Sequence, residues 1–255
     1  MKIQVLVATM EQTDHSLPQK MGIQCDAIIG NQCDYNSIET FEYRVHTIKY
    51  LNFAERGVGL NRNNALMRAT GDICLFADDD MVYCEDYIEI IRAAFEEHPN
   101  ADVIVFNLKE KNAIRKLITK ESKVGYLNYL RYGTARLAVK RSSVIKNGIF
   151  FNTCFGGGTE HCHGEDTLFL NACLKNKLKV IAVPKYIASL TDERASSWNN
   201  GYNEKYIRDQ GILFHTLSRR WWKLLCLQDS VRRHKSYGMG IWKAFRMMVS
   251  AGKTV

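Results

Sequence analysis

No stretch of this 255-residue sequence approaches the roughly 18 uninterrupted apolar residues of a membrane-crossing helix, which excludes such a helix as an expectation. The N-terminus lacks a long apolar core and a small-residue cleavage site. Met1-Lys2 followed by Ile3 to Ala8 therefore reads as a first β-strand rather than a secretion signal. The eight cysteines form no CxxC pair and are scattered along the chain, so reduced thiols are expected rather than a disulfide framework. Cys154, His161, Cys162 and His163 cluster, but their spacing matches no closed tetrahedral zinc finger. No internal repeat or low-complexity segment is visible.

Acidic charge is scarce at one end. From Arg219 onward nine basic residues stand against the single acid Asp229, so this segment carries +8, the net charge of the whole chain. The first 218 residues are formally neutral. A nucleic-acid enzyme would spread positive charge over its catalytic face, so this distribution argues for docking to an anionic surface and against nucleic acid. The segment also holds Trp221, Trp222 and Trp242, and Ile241, Ala244, Phe245, Met248 and Val249 share one helical face with Lys243 and Arg246 away from it. That pattern describes an interfacial helix on a membrane surface. The alternative is that the stripe packs on the chain's own domain or on a second subunit of a homo-oligomer.

What remains is an alternation of short buried strands and helices. Strands are expected at Ile3 to Ala8, Ala27 to Gly30, His46 to Leu51, Ile73 to Ala77, Asp102 to Phe106, Ala135 to Lys140 and Val180 to Val183, the last ending at Pro184. Helices are expected from Arg62 to Ala69 with Asn61 as N-cap, from about Glu85 to Glu97, and from Thr167 to Lys175. A Lys- and Tyr-rich connector from Lys109 to Tyr132 is read as shaping the acceptor side. The order implies an α/β fold with a mostly parallel sheet whose ligand site lies at the strands' carboxyl ends.

Asp78, Asp79 and Asp80 follow directly on an apolar strand. Three adjacent carboxylates repel one another unless a cation offsets them, and oxygen-only ligation selects a hard ion such as Mg²⁺ or Mn²⁺. A solvated acidic turn is the plainer reading. Glu165 and Asp166 open a helix behind Gly156-Gly157-Gly158 and Gly164. Helix capping explains one acid there; two acids behind a glycine triplet suggest a ligand held close to backbone.

These residues together resemble glycosyltransferase family 2, of the GT-A fold. The resemblance covers Met1 to about Trp198 and rests on the order Arg62-Asn63, Ala65-Leu66, Gly71-Asp72, Ile73-Cys74-Leu75-Phe76, Asp78-x-Asp80 and Gly164-Glu165-Asp166. It implies a Rossmann-like GT-A domain over residues 1–215, followed by a basic amphipathic helical tail over 216–255. It further implies a metal-dependent, inverting, hexosyltransferase-type enzyme that moves a sugar from a nucleotide-diphosphate sugar, a UDP-sugar by family prevalence, to a saccharide hydroxyl. A lipid-linked glycan of cell-surface polysaccharide synthesis would be the acceptor, and the enzyme would sit peripherally on the cytosolic face of the membrane.

The resemblance also assigns roles. Asp80 would bind Mn²⁺ or Mg²⁺, with Asp78 and Asp79 touching the ribose and Asp78 near the metal. Thr9 to Glu11 would meet the base, and Arg62 and Gly157 would contact the nucleotide sugar. Asp166 would be the catalytic base and Glu165 would hold a sugar hydroxyl. Many relatives place a histidine metal ligand after the last strand; this sequence has Thr191-Asp192-Glu193-Arg194 there, and His215 only further on. Asp192 or Glu193 would replace it, unless Asp80, diphosphate and water suffice. Arg194, Ser196, Ser197 and Trp198 read as a loop closing over the donor. Two other classes fit locally: a haloacid-dehalogenase-type phosphatase, through Asp78-x-Asp80-x-Val82, and a non-catalytic GT-A-like subunit recruited to membranes.

Overall fold

The computed structural model describes residues 1–110, 116–191 and 201–254. The first half runs β1 (Ile3–Met10), α1 (Leu17–Lys20), β2 (Asp26–Gln32), β3 (Ser37–Tyr43), β4 (His46–Phe53), α2 (Val58–Arg68), β5 (Ile73–Asp78), β6 (Met81–Tyr83), α3 (Tyr87–Glu97) and β7 (Val103–Lys109). The second half runs β8 (Ser122–Val124), β9 (Leu137–Lys140), α4 (Arg141–Lys146), α5 (Glu165–Lys175), β10 (Val180–Leu190), α6 (Glu204–Leu217), α7 (Trp222–Tyr237) and α8 (Ile241–Gly252).

One sheet carries the fold, in the order β3-β4-β2-β1-β5-β9-β7-β10-β6, with β8 paired to β10. The expected parallel pairing is present along β4-β2-β1-β5 and between β7 and β10. Antiparallel β9 stitches these two parts together between β5 and β7. The central strands are apolar on both faces, as strands covered on both sides must be. In β1, Val5 and Val7 point into the core shared with α3, while Leu6 points into the core shared with α2 and α5. This is the GT-A arrangement that the sequence implied.

Four local expectations are corrected. The helix expected from an Asn61 cap begins at Val58 behind Gly57, because Gln32 Oε1 accepts the Gly57 amide at 2.7 Å and Gly157 O accepts that of Val58 at 2.9 Å. Asn61 is buried against Gly30, where a methyl would lie 2.4 Å from its Oδ1. Pro184 does not end β10: register shifts between Ala182 and Ala188 absorb it and the strand continues to Leu190. Strand β3, a half-buried edge strand of mixed composition, had no counterpart in the sequence reading.

The fourth correction concerns the C-terminal stripe. Ala244 and Met248 are fully buried and join Leu213, Phe214, Leu217, Trp222 and Cys226 in a core beneath α6, α7 and α8. The apolar face of α8 therefore packs on the chain itself, the alternative to an interfacial face. Helix α6 spans Glu204–Leu217 and so crosses the boundary expected after residue 215. Among the described residues no helix is long and apolar enough to cross a membrane.

Candidate active site

A cavity of about 1820 Å³ opens at the carboxyl ends of β1 and β5. Thr9, Arg62, Asp78, Asp79, Asp80, Gly157, Glu165 and Asp166 all line it. The parallel register explains the first group: Ala8 pairs with Asp78, so the residues that follow each strand end side by side. Thr9 Oγ1 donates to Asp79 Oδ2 at 2.6 Å, and Gln12 Nε2 donates to Thr9 Oγ1 at 2.9 Å. The backbone oxygen of Asp80 accepts from Thr191 N at 2.8 Å, which ties the acidic turn to the end of β10.

Arg62 is the hub. It is 4% exposed and lies 5.4 Å from the Phe151 ring centroid. Phe151 in turn stacks on Phe169 at 4.3 Å. Over this apolar floor its Nη2 reaches Asp78 Oδ1 at 2.8 Å, and its Nη1 reaches Glu165 Oε1 and Asp166 Oδ1 at 3.0 Å each. Burial opposes its charge, but Asp78, Asp166 and Glu165 together outweigh that and raise its pKa further. The sequence reading gave this guanidinium to the nucleotide; here its terminal nitrogens gather three acids from β5 and α5.

Glu165 and Asp166 occupy the first turn of α5, which begins two residues earlier than the sequence suggested. Gly164 caps it at φ +116, a conformation open to glycine, and a side chain there would collide with Leu213 at 2.7 Å. Gly156, at φ +105, lies so close to Glu165 that a methyl would sit 2.8 Å from its carboxyl carbon. The helix N-terminus should hold both acids ionised, yet burial, followed by the charge of Asp166, pushes Glu165 up to about 7. Thr134 donates its hydroxyl to Asp166 Oδ1. The loop before Gly164 is pinned to α6: Asp209 accepts from Cys162 N at 2.9 Å and meets His161 Nδ1 at 3.2 Å, and His163 Nε2 meets Gln210 Oε1 at 2.7 Å.

The remaining expectations fall as follows. Glu11 sits just beyond β1 at φ 53, and its carboxylate takes Arg56 at 2.8 Å. Asp192, with Glu193, Arg194, Ser196, Ser197 and Trp198, lies outside the described residues. His215 faces the Trp222 ring edge-on at 5.1 Å. Among the described residues no group of three or more His, Cys, Asp or Glu side chains is arranged to hold a metal. Asp78 is engaged by Arg62 and Asp79 by Thr9, so the donor set fits a hard cation held at Asp80 and completed by substrate oxygens.

Several lining residues were not foreseen. Tyr126 to Gly133 come from the connector, and Tyr206, Gln210, Trp221, Leu224, Arg232 and Arg233 come from α6, α7 and the turn between them. The C-terminal segment thus forms part of the cavity wall. Only the Tyr-rich composition of the connector carried a signal for this.

With this geometry in hand, comparison with known proteins is informative. Residues 36–156 match the family described as Glycosyl transferase family 2, which bears out the resemblance read from the sequence. Similar solved structures include S. aureus TarS 1-349 (TM-score 0.66, 16% identity, covering 98% of this chain and 81% of that one). They also include TarS 1-349 in complex with UDP-GlcNAc (TM-score 0.62, 17% identity, covering 100% and 90%). A further S. aureus TarS structure gives a TM-score of 0.60 at 17% identity over 89% of this chain, which spans only 42% of that chain. Identity this low speaks for the fold. No curated protein matches the sequence.

Proposed function

We propose that this chain, a family 2 match built on a GT-A sheet, is an inverting glycosyltransferase that moves a sugar from a UDP-sugar to a saccharide hydroxyl. The observation that carries the reading is the cavity in which one buried arginine joins Asp78, at the donor end of β5, to Glu165 and Asp166. The S. aureus TarS relative with UDP-GlcNAc bound supports a uridine-diphosphate donor.

In this reading Thr9 and Glu11 lie toward the base, Asp78 and Asp79 toward the ribose, and Gly157 lets the backbone approach the donor. Asp80 holds Mn²⁺ or Mg²⁺, with Asp192 as a further candidate ligand; the bound ion would neutralise the leaving diphosphate. Asp166 takes the proton from the acceptor hydroxyl while that oxygen attacks the anomeric carbon from the face opposite the diphosphate. Glu165, near half-protonated at neutral pH, can hold a sugar hydroxyl as donor or acceptor. The connector and the C-terminal helices form the acceptor side.

The acceptor we infer is a lipid-linked glycan of cell-surface polysaccharide synthesis, met at the cytosolic face of a membrane. Trp221 and Trp242 are 54% and 65% exposed, and Arg220 lies over the Trp221 ring at 5.0 Å, which supports a basic, aromatic surface able to dock on anionic headgroups.

Two variants test the chemistry. Asp80→Ala should abolish Mn²⁺-dependent UDP binding, whereas Asp166→Asn should keep that binding and stop transfer. Full transfer by either variant would refute the assignment.

A further inference from the structure

Asp166 is held through one of its two oxygens by donors from distant parts of the chain. Arg62 Nη1 reaches Oδ1 at 3.0 Å, and the Thr134 hydroxyl donates to the same atom. Both donors are almost fully buried, Thr134 at 1% exposed. Two bonds on one oxygen fix the rotation of the carboxylate plane and so set the direction of Oδ2.

Gly133 stands immediately before Thr134 and lines the cavity. Its φ of −95° and ψ of 164° are ordinary extended backbone, open to any residue. A methyl added there would meet Asp166 Oδ2 at 3.1 Å, with no other atom named within 4 Å. Neither backbone conformation nor core packing asks for glycine at 133. What a side chain would occupy is the space in front of Oδ2.

The geometry points to Gly133 and Thr134 as a positioning pair for Asp166: Thr134, with Arg62, turns Oδ2 toward the cavity, and the absent side chain at 133 is the passage through which the acceptor hydroxyl reaches it. This rests on Asp166 being the base of the proposed transfer. The acceptor O–H bond breaks and its proton passes to Oδ2. The freed electron pair forms the bond to the anomeric carbon, and the pair of the broken anomeric C–O bond leaves with the diphosphate. The passage therefore selects acceptors by the bulk around the attacking hydroxyl, while water passes freely.

UDP release from UDP-GlcNAc with Mn²⁺ is the readout, with water and then methanol, ethanol and n-propanol as nucleophiles of rising size. Gly133→Ala should melt within about 2 °C of the wild type, since alanine fits this backbone. It should release UDP to water at about the wild-type rate, while its preference for n-propanol over water falls by roughly tenfold or more. Thr134→Val should lower kcat by about tenfold or more at unchanged KM for UDP-GlcNAc, and Thr134→Ser should recover it. A melting temperature several degrees lower for Gly133→Ala would show that the glycine serves packing and overturn the proposal. An unchanged alcohol preference, or a Thr134→Val effect on KM alone, would overturn it as well. Failure of the wild type to release UDP from any nucleotide sugar would refute the donor reading instead, and the melting comparison would still decide whether the glycine serves packing.

Discussion

Glu165 is the residue whose chemistry departs furthest from what its position in the chain suggests. A carboxyl in the first turn of a helix is expected to be ionised, but burial and the neighbouring Asp166 lift this one from 4.5 to about 7 against the pull of Arg62. Because the folded value is raised, the protonated form is favoured in the native state. Its stability contribution is present below the unfolded value and is lost as pH rises through about 7. Glu165→Gln cannot ionise, so its melting temperature relative to the wild type should climb between about pH 5 and pH 8. A pH-independent difference across a melting series would contradict the raised value. The acids themselves were legible in the sequence because consecutive carboxylates at a strand end and at a helix start are local patterns. Thr134, Gly133 and Gln12 were not, because each matters only through a partner brought close by the fold: Thr134 meets Asp166 from 32 residues away. Arg62 was seen as functional yet given a different partner, since nothing local says that three acids will converge on it.

The elements were legible where periodicity and burial agree. Strands β1, β2, β4, β5 and β7 were found because parallel strands covered on both faces read as apolar runs. Boundaries set by tertiary bonds were missed, as at Gly57, whose amide is held by Gln32. The stripe on α8 was seen correctly as apolar, but amphipathicity does not say what covers the face, and the answer is α6. The contact is close: a methyl on Gly211 would lie 2.1 Å from Met248 O, and one on Gly252 would lie 2.9 Å from Gly211 O. Gly211→Ala must therefore push α8 away from α6, at a cost of about 1–3 kcal/mol typical of overpacked sites. Denaturant unfolding should show that loss. A variant as stable as the wild type would mean that the two helices are not packed as described.

At the scale of the whole molecule, charge and site are arranged together. The net +8 lies from Arg219 onward, and α6, α7 and the turn between them also form one wall of the cavity, so an anionic surface that attracts this segment would bring the site to that surface. Each lysine or arginine near such a surface contributes on the order of 1 kcal/mol, so binding should be reversible and weaken with salt. Co-sedimentation of the intact chain with vesicles containing phosphatidylserine, but not with neutral vesicles, is expected. Neutral vesicles binding equally well would leave Trp221 and Trp242 without the role given them here.

The central claim is that the cavity at the ends of β1 and β5 receives a nucleotide sugar held with a divalent ion at Asp80. A thermal-shift panel of nucleotide sugars, each with and without Mn²⁺, tests it most directly, because a ligand that binds only the folded state raises its stability by mass action. At least one UDP-sugar should raise the melting temperature, more so with Mn²⁺ than without, and the increment due to metal should vanish in Asp80→Ala. No shift from any nucleotide sugar with Mn²⁺ present would contradict the account.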